Sequence, residues 1–512
     1  MKVSAIMRSR RFWALAIVSI SFICFIAFCF YTHRFTRYQE PRFLTFHELQ
    51  KLYKDPHPGG LLGWKLARFR RTPIISNEAY YQGVRPSQHT DPKLGPYLSV
   101  ASWNIGEEEL FHLKDTIAVF SSTDQFRSLV NAGKAPEGSH EYKEVIQQRD
   151  RLAHADIIVL QEVTVGNKRS EYKDEARALG EALKMNYAYG AEQFELNPVV
   201  LGLEKIYFPD GKTVDQERTN YYKADPALYK GALGNAVLSR YPIKKVQVFP
   251  LQYIPFDWYQ GEKGQLSFME KMRETGSKVV FQTGFTREVR AGSQIYFRVD
   301  LDVPELPERT LTIINIHLEI NCTPKDRETQ MAEILSYMKR IKHPVIVMGD
   351  FNCAPQDLSP TSTSRVVERT LGDLADIFSN PVKPLFTMIQ NFRFDDGGAF
   401  DFRGDSGRSI NGKDGTLANS NERGIIGFKT TFRVTRPIAM VIGKLRLDWV
   451  FVKSYLKDPL GKGPYRFAPH YGETLEELNT NFKTPISDHH PNVVDLPFQE
   501  PRMNLKKSDL KS

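Results

Sequence analysis

The chain is poor in cysteine: it has four in 512 residues, and two of these, Cys24 and Cys29, sit inside an apolar run. So few thiols exclude a disulfide-stapled scaffold and a thiolate-rich structural zinc site. Low-complexity blocks and fixed-period repeats are also missing, which excludes solenoids and propellers. Hydrophobic residues at 41% and charged residues at 25% make an ordinary globular balance that points to no particular chemistry. A basic surplus is missing from most of the chain despite its net charge of +9. Up to residue 75, thirteen Lys and Arg face three acids, Glu40, Glu48 and Asp55, a surplus of ten, so the remainder sums to −1. A near-neutral body lacks the overall signature of a nucleic-acid binder, although a local basic patch is compatible with it.

One long apolar run is present. Phe12 to Tyr31 reads FWALAIVSISFICFIAFCFY without a charge, and about twenty helical residues cross the roughly 30 Å hydrocarbon layer. The run is longer than the apolar part of a cleaved signal peptide, and no small-x-small site follows it. The expectation is one N-terminal transmembrane helix, hence a single-pass membrane protein. Lys2, Arg8, Arg10 and Arg11 precede the run and Arg34, Arg37 and Arg42 follow it. This balance leans toward an inside N-terminus, with the folded domain on the non-cytoplasmic side. The basic residues beside the run suit anionic lipid headgroups, and equally a topology signal with a solvated linker.

Composition divides the chain into a short tail (1–11), the apolar run (12–31), a basic linker or stalk (32–96), a domain (97–498) and a charged C-terminal tail (499–512). Prolines and glycines interrupt the stalk, with a short helix expected around Thr45–Lys54. After Pro96, short β-branched runs alternate with helices, the mark of an α/β domain. Strands are expected at Tyr97–Asn104, Asp156–Glu162, Asn186–Phe194, Gly234–Ser239, Gln294–Leu301, Thr310–Glu319, Pro344–Asp350, Leu445–Val452 and Asn492–Leu496. Helices are expected at Glu141–Ala153, Glu171–Lys184 and Lys325–Ile341, the last with Met331, Ile334, Leu335 and Met338 on one face. Residues 252–292 and 354–444 show little regular pattern, and the second stretch is too long for an ordinary loop. The aromatic stretch Phe249–Tyr259 fits an apolar contact surface and equally core packing.

Several of these strands end on metal-type or proton-transfer residues. Asn104, Glu162 and His317 each close one; Asp350 and Asn352, two apart, point to the same side of an extended segment. Asp448 and the group Asp488-His489-His490 add carboxylates and imidazoles near the C-terminus. A single polar strand end is usually a cap or turn former; six in one domain point to a site. Hard oxygen donors suit Mg²⁺, Mn²⁺ or Ca²⁺. Asn235, in GNAVLSRYP, either faces this cleft or starts its strand. Cys322 and Cys353 follow two of the strands; two free thiols are the favoured reading, although a disulfide would suit an exported location.

SWNIG, VLQEV, GNAVLSRYPI, NIHLE, VMGDFN, RLDWVFV and SDHHP resemble, in order, the motifs of the endonuclease/exonuclease/phosphatase superfamily, which includes DNase I-like nucleases and neutral sphingomyelinases. The resemblance spans about residues 97–496. It implies an α/β, four-layer sandwich of two packed β-sheets flanked by helices, here preceded by the transmembrane helix, and a Mg²⁺-dependent phosphoesterase in which Mn²⁺ could replace Mg²⁺. It makes Glu162 the principal metal ligand, helped by Asn104 and Asp488. His489 becomes the general base, oriented by Asp448. Asp350 and Asn352 position the nucleophile and phosphoryl group, and His317 bonds a phosphate oxygen or the departing group. Apurinic endonucleases carry an acidic residue where this chain has Gly106 and a tyrosine where it has His317, which argues against a close relative of that branch. The expected substrate is a phosphate ester, a diester over a monoester, with a lipid such as sphingomyelin favoured over nucleic acid for a tethered, near-neutral domain. An exported or tethered nuclease is the alternative. A catalytically silent tethered binding domain is the reading from a different class.

Overall fold

The computed structural model describes residues 13–28, 43–86, 88–91, 95–106, 113–120, 124–131, 133, 135–205, 216–255, 289–306, 308–320, 322–353, 382–400, 431–433, 444–445, 447–453, 471–482 and 485–498. Residues 13–28 are helical (α1), with Trp13, Leu15, Ile17, Val18, Ile20, Phe22, Ile23, Phe25 and Phe28 all exposed. Phe12 and the last three residues of the expected span lie outside the described residues, as do both terminal tails. Among the described residues no helix is long and apolar enough to cross a membrane.

The described part of the segment read as a stalk, from residue 43 on, is built into the domain instead. Thr45 caps α2 (Phe46–Lys54) in a reciprocal box with Glu48, which satisfies end N–H groups that the helix cannot. Next come α3 (Gly60–Arg71), β1 (Ile74–Ser76) and β2 (His89–Asp91). Leu49, Leu52, Leu66, Phe69 and Ile74 are buried in one core cluster. β1 pairs with Asn186–Glu195 and β2 with Gly95–Asn104. The prolines stop helices here without preventing short strands, because none falls within β1 or β2.

The remaining strands are β3 (Gly95–Asn104), β4 (Ile157–Val165), β5 (Asn186–Glu195), β6 (Ala232–Ser239), β7 (Ile243–Pro250), β8 (Arg290–Gly292), β9 (Ile295–Asp302), β10 (Thr310–His317), β11 (Val345–Asp350), β12 (Phe432–Arg433), β13 (Lys444–Leu445), β14 (Asp448–Lys453), β15 (Tyr471–Thr474) and β16 (Asn492–Pro497). The first sheet runs β1-β5-β6-β4-β3-β16-β15, with β2 on β3 and β8 on β5; the second runs β14-β11-β10-β9-β7. The strand expected at Leu445–Val452 is interrupted between β13, which pairs with β12, and β14, which pairs with β11. The helix expected at Glu171–Lys184 covers only Glu175–Leu183: Glu171 and Tyr172 hold positive φ, and Asp174 caps the N-terminus.

Both faces of the central strands are buried. Ile157 and Val159 of β4 point into the core between the sheets, with Phe297, Ile313, Met348 and Val450 opposite. Ile158 and Leu160 face a helical layer containing Val145, Leu152 and Leu179. On the outer face of the second sheet, Ile314, Ile316 and Val347 meet Met331, Ile334, Leu335 and Met338 of the helix Pro324–Met338, the face expected from its periodicity. Helices thus cover both sheets, and period-two alternation explains why single strands feed two cores.

At one end of the first sheet His89 reaches the buried Asp156 carboxylate at 3.3 Å, and Asp156 also accepts the Ser99 N–H. Contact with Asp156 outweighs burial and holds the imidazole above its ordinary pKa. A raised histidine contributes its full stability below the unfolded value near 6.5 and loses it as pH rises through the folded value. His89→Gln is therefore expected to lower stability by about 1 kcal/mol at pH 6, with the gap from wild type closing toward pH 9. Thermal melts of both proteins across that range check this; a gap that grows with pH would contradict the assignment.

Candidate active site

Strand register gathers the chemistry at one edge of the sandwich. Parallel β10 and β11 bring His317 level with Asp350, antiparallel β11 and β14 set Asp350 opposite Asp448, and parallel β3 and β4 put Asn104 beside Gln161. Gly349 makes the second sheet's contribution possible. Its φ is +135°, and a Cβ there would come within 2.0 Å of the Ile316 carbonyl oxygen. A larger residue would push β11 off β10 just before Asp350. Buried Gln161 donates to Asn315 Oδ1 at 2.7 Å, and Asn315 Nδ2 donates to the Leu160 and Ala236 carbonyls. These bonds fasten the two sheets together directly behind the site.

Of the eight predicted residues, Asn104, Glu162, His317, Asp350, Asp448 and His489 converge. His489 Nδ1 and Asp448 Oδ2 are 2.8 Å apart, both buried. His489 Nε2 is 3.5 Å from Asp350 Oδ2 and 3.5 Å from Asn104 Nδ2. Asn104 Nδ2 donates to Glu162 Oε1 at 2.9 Å and to Asp350 Oδ2 at 3.1 Å. His317 Nε2 stands 3.8 Å from Glu162 Oε1. Asn352, at φ +46°, donates its N–H to Asp350 Oδ1 and its Nδ2 to the Leu318 carbonyl, so in this structure it fixes the turn and the Asp350 carboxylate. Asp488 is half-buried and acts on His489 through its charge. His490 has its N–H on the Thr431 carbonyl and its ring against Asn479, which leaves His489, of these two neighbours, as the one in the site.

Glu162 sits in a bulge, at φ +56°, where the β4–β6 register shifts between Leu160 and Val163. The extra residue turns its side chain into the cleft. Arg169 braces the turn through the carbonyls of Glu162 and Gly106. Burial alone would raise the Glu162 carboxyl, but His317, the Asn104 amide, His489 and Arg169 hold it below its ordinary value. Burial with Asp448 nearby pushes Asp350 up to about 6, against the pull of His489 and His317. Burial opposes charge on His489, but Asp448 and Asp350 raise it well above the usual imidazole value. His317 is raised to about 10: burial is outweighed by Glu192, Glu162 and Asp350.

Glu192 is the functional residue that the sequence reading missed. Fully buried in β5, it lies 3.2 Å from His317 Nδ1 and accepts from Asn235 Nδ2 at 2.8 Å. Asn235 therefore faces the cleft side of its strand and orients that carboxylate. The available signal was a charged residue inside a strand that is otherwise buried, YGAEQF. The acids of the two His–Asp/Glu pairs come from β5 and β14.

Asn104 presents nitrogen, not oxygen, to Glu162, while its Oδ1 accepts the Gly106 N–H. To serve as the expected metal ligand its amide would have to turn over. Among the described residues, Asp350, Asp448 and His489 form a group whose donor atoms all lie within 4.8 Å of one another, close enough to hold an ion. With Glu162 beside them, this clustering of hard carboxylate oxygens fits a divalent cation of the Mg²⁺ class.

If Glu192 holds His317 protonated, Glu192→Gln should lower the His317 pKa, read by NMR titration of the imidazole. It should also cost about 3 kcal/mol or more of stability, because a buried charge loses its partner. An unchanged His317 titration would contradict the pairing.

Residues 101–489, well over half of the chain, match the profile of the Endonuclease/Exonuclease/phosphatase family. No curated protein sequence matches. Solved structures similar to the chain include ANGEL2, a 2′,3′-cyclic phosphatase bound to adenosine-2′,3′-vanadate (14% identity, 78% of this chain and 95% of that one, TM-score 0.35). Others are the human Nocturnin catalytic domain with a bound sulfate anion (15%, 84% and 99%, TM-score 0.34) and the Bacteroides thetaiotaomicron mannosyl-6-phosphatase Bt3783 (12%, 78% and 99%, TM-score 0.36). The chain belongs to the endonuclease/exonuclease/phosphatase family, whose members hydrolyse phosphate esters.

Proposed function

We propose that the protein is a divalent-metal-dependent phosphodiesterase acting at a membrane surface, on a lipid diester such as sphingomyelin, held there by Phe12–Tyr31 with its domain on the non-cytoplasmic side. The observation that carries the hydrolytic reading is the buried Asp448–His489 pair, 2.8 Å apart, with Nε2 turned to Asp350 and Asn104. The support for the membrane reading is the uncharged run itself, the exposure of its described helix and the basic residues on both sides of it.

In this reading, Asp448 accepts the Nδ1–H of His489 and so fixes the tautomer with Nε2 free to take a proton from an attacking water. The same carboxylate stabilises the imidazolium that results. Asp350, anchored by the Asn352 N–H and Asn104, orients the water beside Nε2. His317, kept charged by Glu192, offers Nε2–H to a non-bridging or departing oxygen, where charge builds in the transition state. Mg²⁺ or Mn²⁺ held by Glu162, together with Asp350 or with Asn104 and Asp488, would supply positive charge to the phosphoryl oxygens and offset the carboxylate charge on His489.

The base must be neutral to act, and its pKa is raised by Asp448 and Asp350. The rate should therefore rise with pH along a limb governed by His489, and Asp448→Asn should move that limb toward lower pH while cutting kcat/KM by about 10²- to 10⁴-fold. His489→Ala should cost a similar factor. The test is turnover by the full chain in detergent, with Mg²⁺ or with EDTA, on sphingomyelin, phosphoinositides, double-stranded DNA and a bis-aryl phosphodiester. Metal-dependent turnover lost in His489→Ala supports the mechanism, and the preferred substrate decides between lipid and nucleic acid. A folded, metal-replete protein inactive on all four would sink the reading.

A further inference from the structure

We infer that the outer face of α3 is a docking surface for an anionic lipid bilayer. The inference rests on the membrane attachment proposed above, and names which part of the folded domain meets the lipid. One side of α3 belongs to the fold. Leu66 and Phe69 are buried, with the Phe69 ring 5.2 Å from Phe43 and 4.9 Å from Phe194. Arg70 also turns inward, donating to the Glu192 carbonyl at 2.8 Å and to the carbonyl and hydroxyl oxygens of Ser293.

The opposite side is unlike an ordinary solvated face. Leu61 is 69% exposed and Trp64 55% exposed, and Arg68 and Arg71 are exposed beside them. Positions 61, 64, 68 and 71 recur at helical spacing, so they form one stripe. The Arg68 guanidinium lies over the Trp64 ring at 5.2 Å. The helix carries no acidic residue, and Lys65 at its flank is paired with Glu48 of α2. A stripe of Leu, Trp and Arg matches the layered chemistry of a bilayer interface, where apolar atoms and indole rings sit at headgroup depth and guanidiniums meet phosphates.

Single exposed apolar residues are common on protein surfaces. Three observations favour a bilayer here over solvent. The first 75 residues carry a net charge of +10 while the remainder sums to −1, so this end as a whole is complementary to an anionic surface. If the anchor ends at Tyr31, the packed domain begins about twelve residues later, near Phe43, within roughly 40 Å of extended chain. α2 and α3 are the first folded elements within that reach. Finally, α3 is joined to the site by its own side chain: Arg70 grips the backbone of Glu192, whose carboxylate partners His317. Docking through α3 would seat the catalytic edge at a set orientation to the membrane, which suits a lipid substrate.

The test uses the full chain reconstituted in nanodiscs of acyl-brominated phosphatidylcholine, with or without phosphatidylserine, and reads quenching of tryptophan fluorescence by bromine. Trp13, inside the apolar run, reports the anchor, and Trp64 reports docking. The expected result is that Trp64→Phe removes a distinct part of the quenching in phosphatidylserine discs. That part should also be lost without phosphatidylserine, in about 1 M salt where the Debye length is only about 3 Å, and in the Arg68→Glu/Arg71→Glu double variant. Thermal melts of these surface variants should match wild type. If Trp13→Phe abolishes all quenching and Trp64→Phe changes none, the docking inference is overturned and the anchor stands. If neither substitution changes it, the membrane attachment falls, and the inference with it.

Discussion

The site depends on holding buried negative charge in one place. Glu162, Glu192, Asp350 and Asp448 meet at one edge of the sandwich, and three of them are almost without solvent. Removing a carboxylate from water costs several kcal/mol unless charge and hydrogen bonds compensate. Here the compensation is reciprocal: Asp448 and Asp350 hold His489, Glu192 holds His317, and Asn104 donates to both Glu162 and Asp350. The imidazoles are raised because the carboxylates are there, and the carboxylates are tolerated because the imidazoles and amides are there. A divalent cation is the natural further partner for such a cluster.

That arrangement needs a rigid support, and the sandwich provides it. The cluster draws on strands from both sheets, so small slippage between them would separate His317 from Glu192 or Asp350 from Asn104. Two features oppose slippage, the apolar core between the sheets and the Gln161–Asn315 bond that crosses it, while within the second sheet glycine at position 349 permits the close approach of β10 and β11. The two positive-φ residues of the site, Glu162 and Asn352, lie where a regular strand would have pointed its next side chain elsewhere. Their strain is held by Arg169, which bonds the carbonyl of Glu162, and by the bonds of Asn352 to Asp350 and Leu318.

The N-terminal segment extends this coupling outward. Its helices and short strands are part of the first sheet's layer, and Arg70 reaches the backbone beside the second His–acid pair. Helix α3 and the catalytic edge are therefore mechanically joined.

The sequence by itself determined the family, the central strands and six converging residues. Hydrophobic alternation marks a strand wherever both faces are buried, and the motifs place their polar residues at strand ends. Position within the sequence could not show that residues 43–91 pack against β3 and β5, because their prolines and basic side chains read locally as a linker and the β5 partners of β1 lie more than a hundred residues away. For the same reason Glu192 went unrecognised: a lone acid in a strand acquires meaning only when β10 brings His317 to it. Which face Asn104 offers, and that Asn352 braces Asp350, also had to wait for the tertiary structure, since both follow from hydrogen-bond partners that no local pattern encodes.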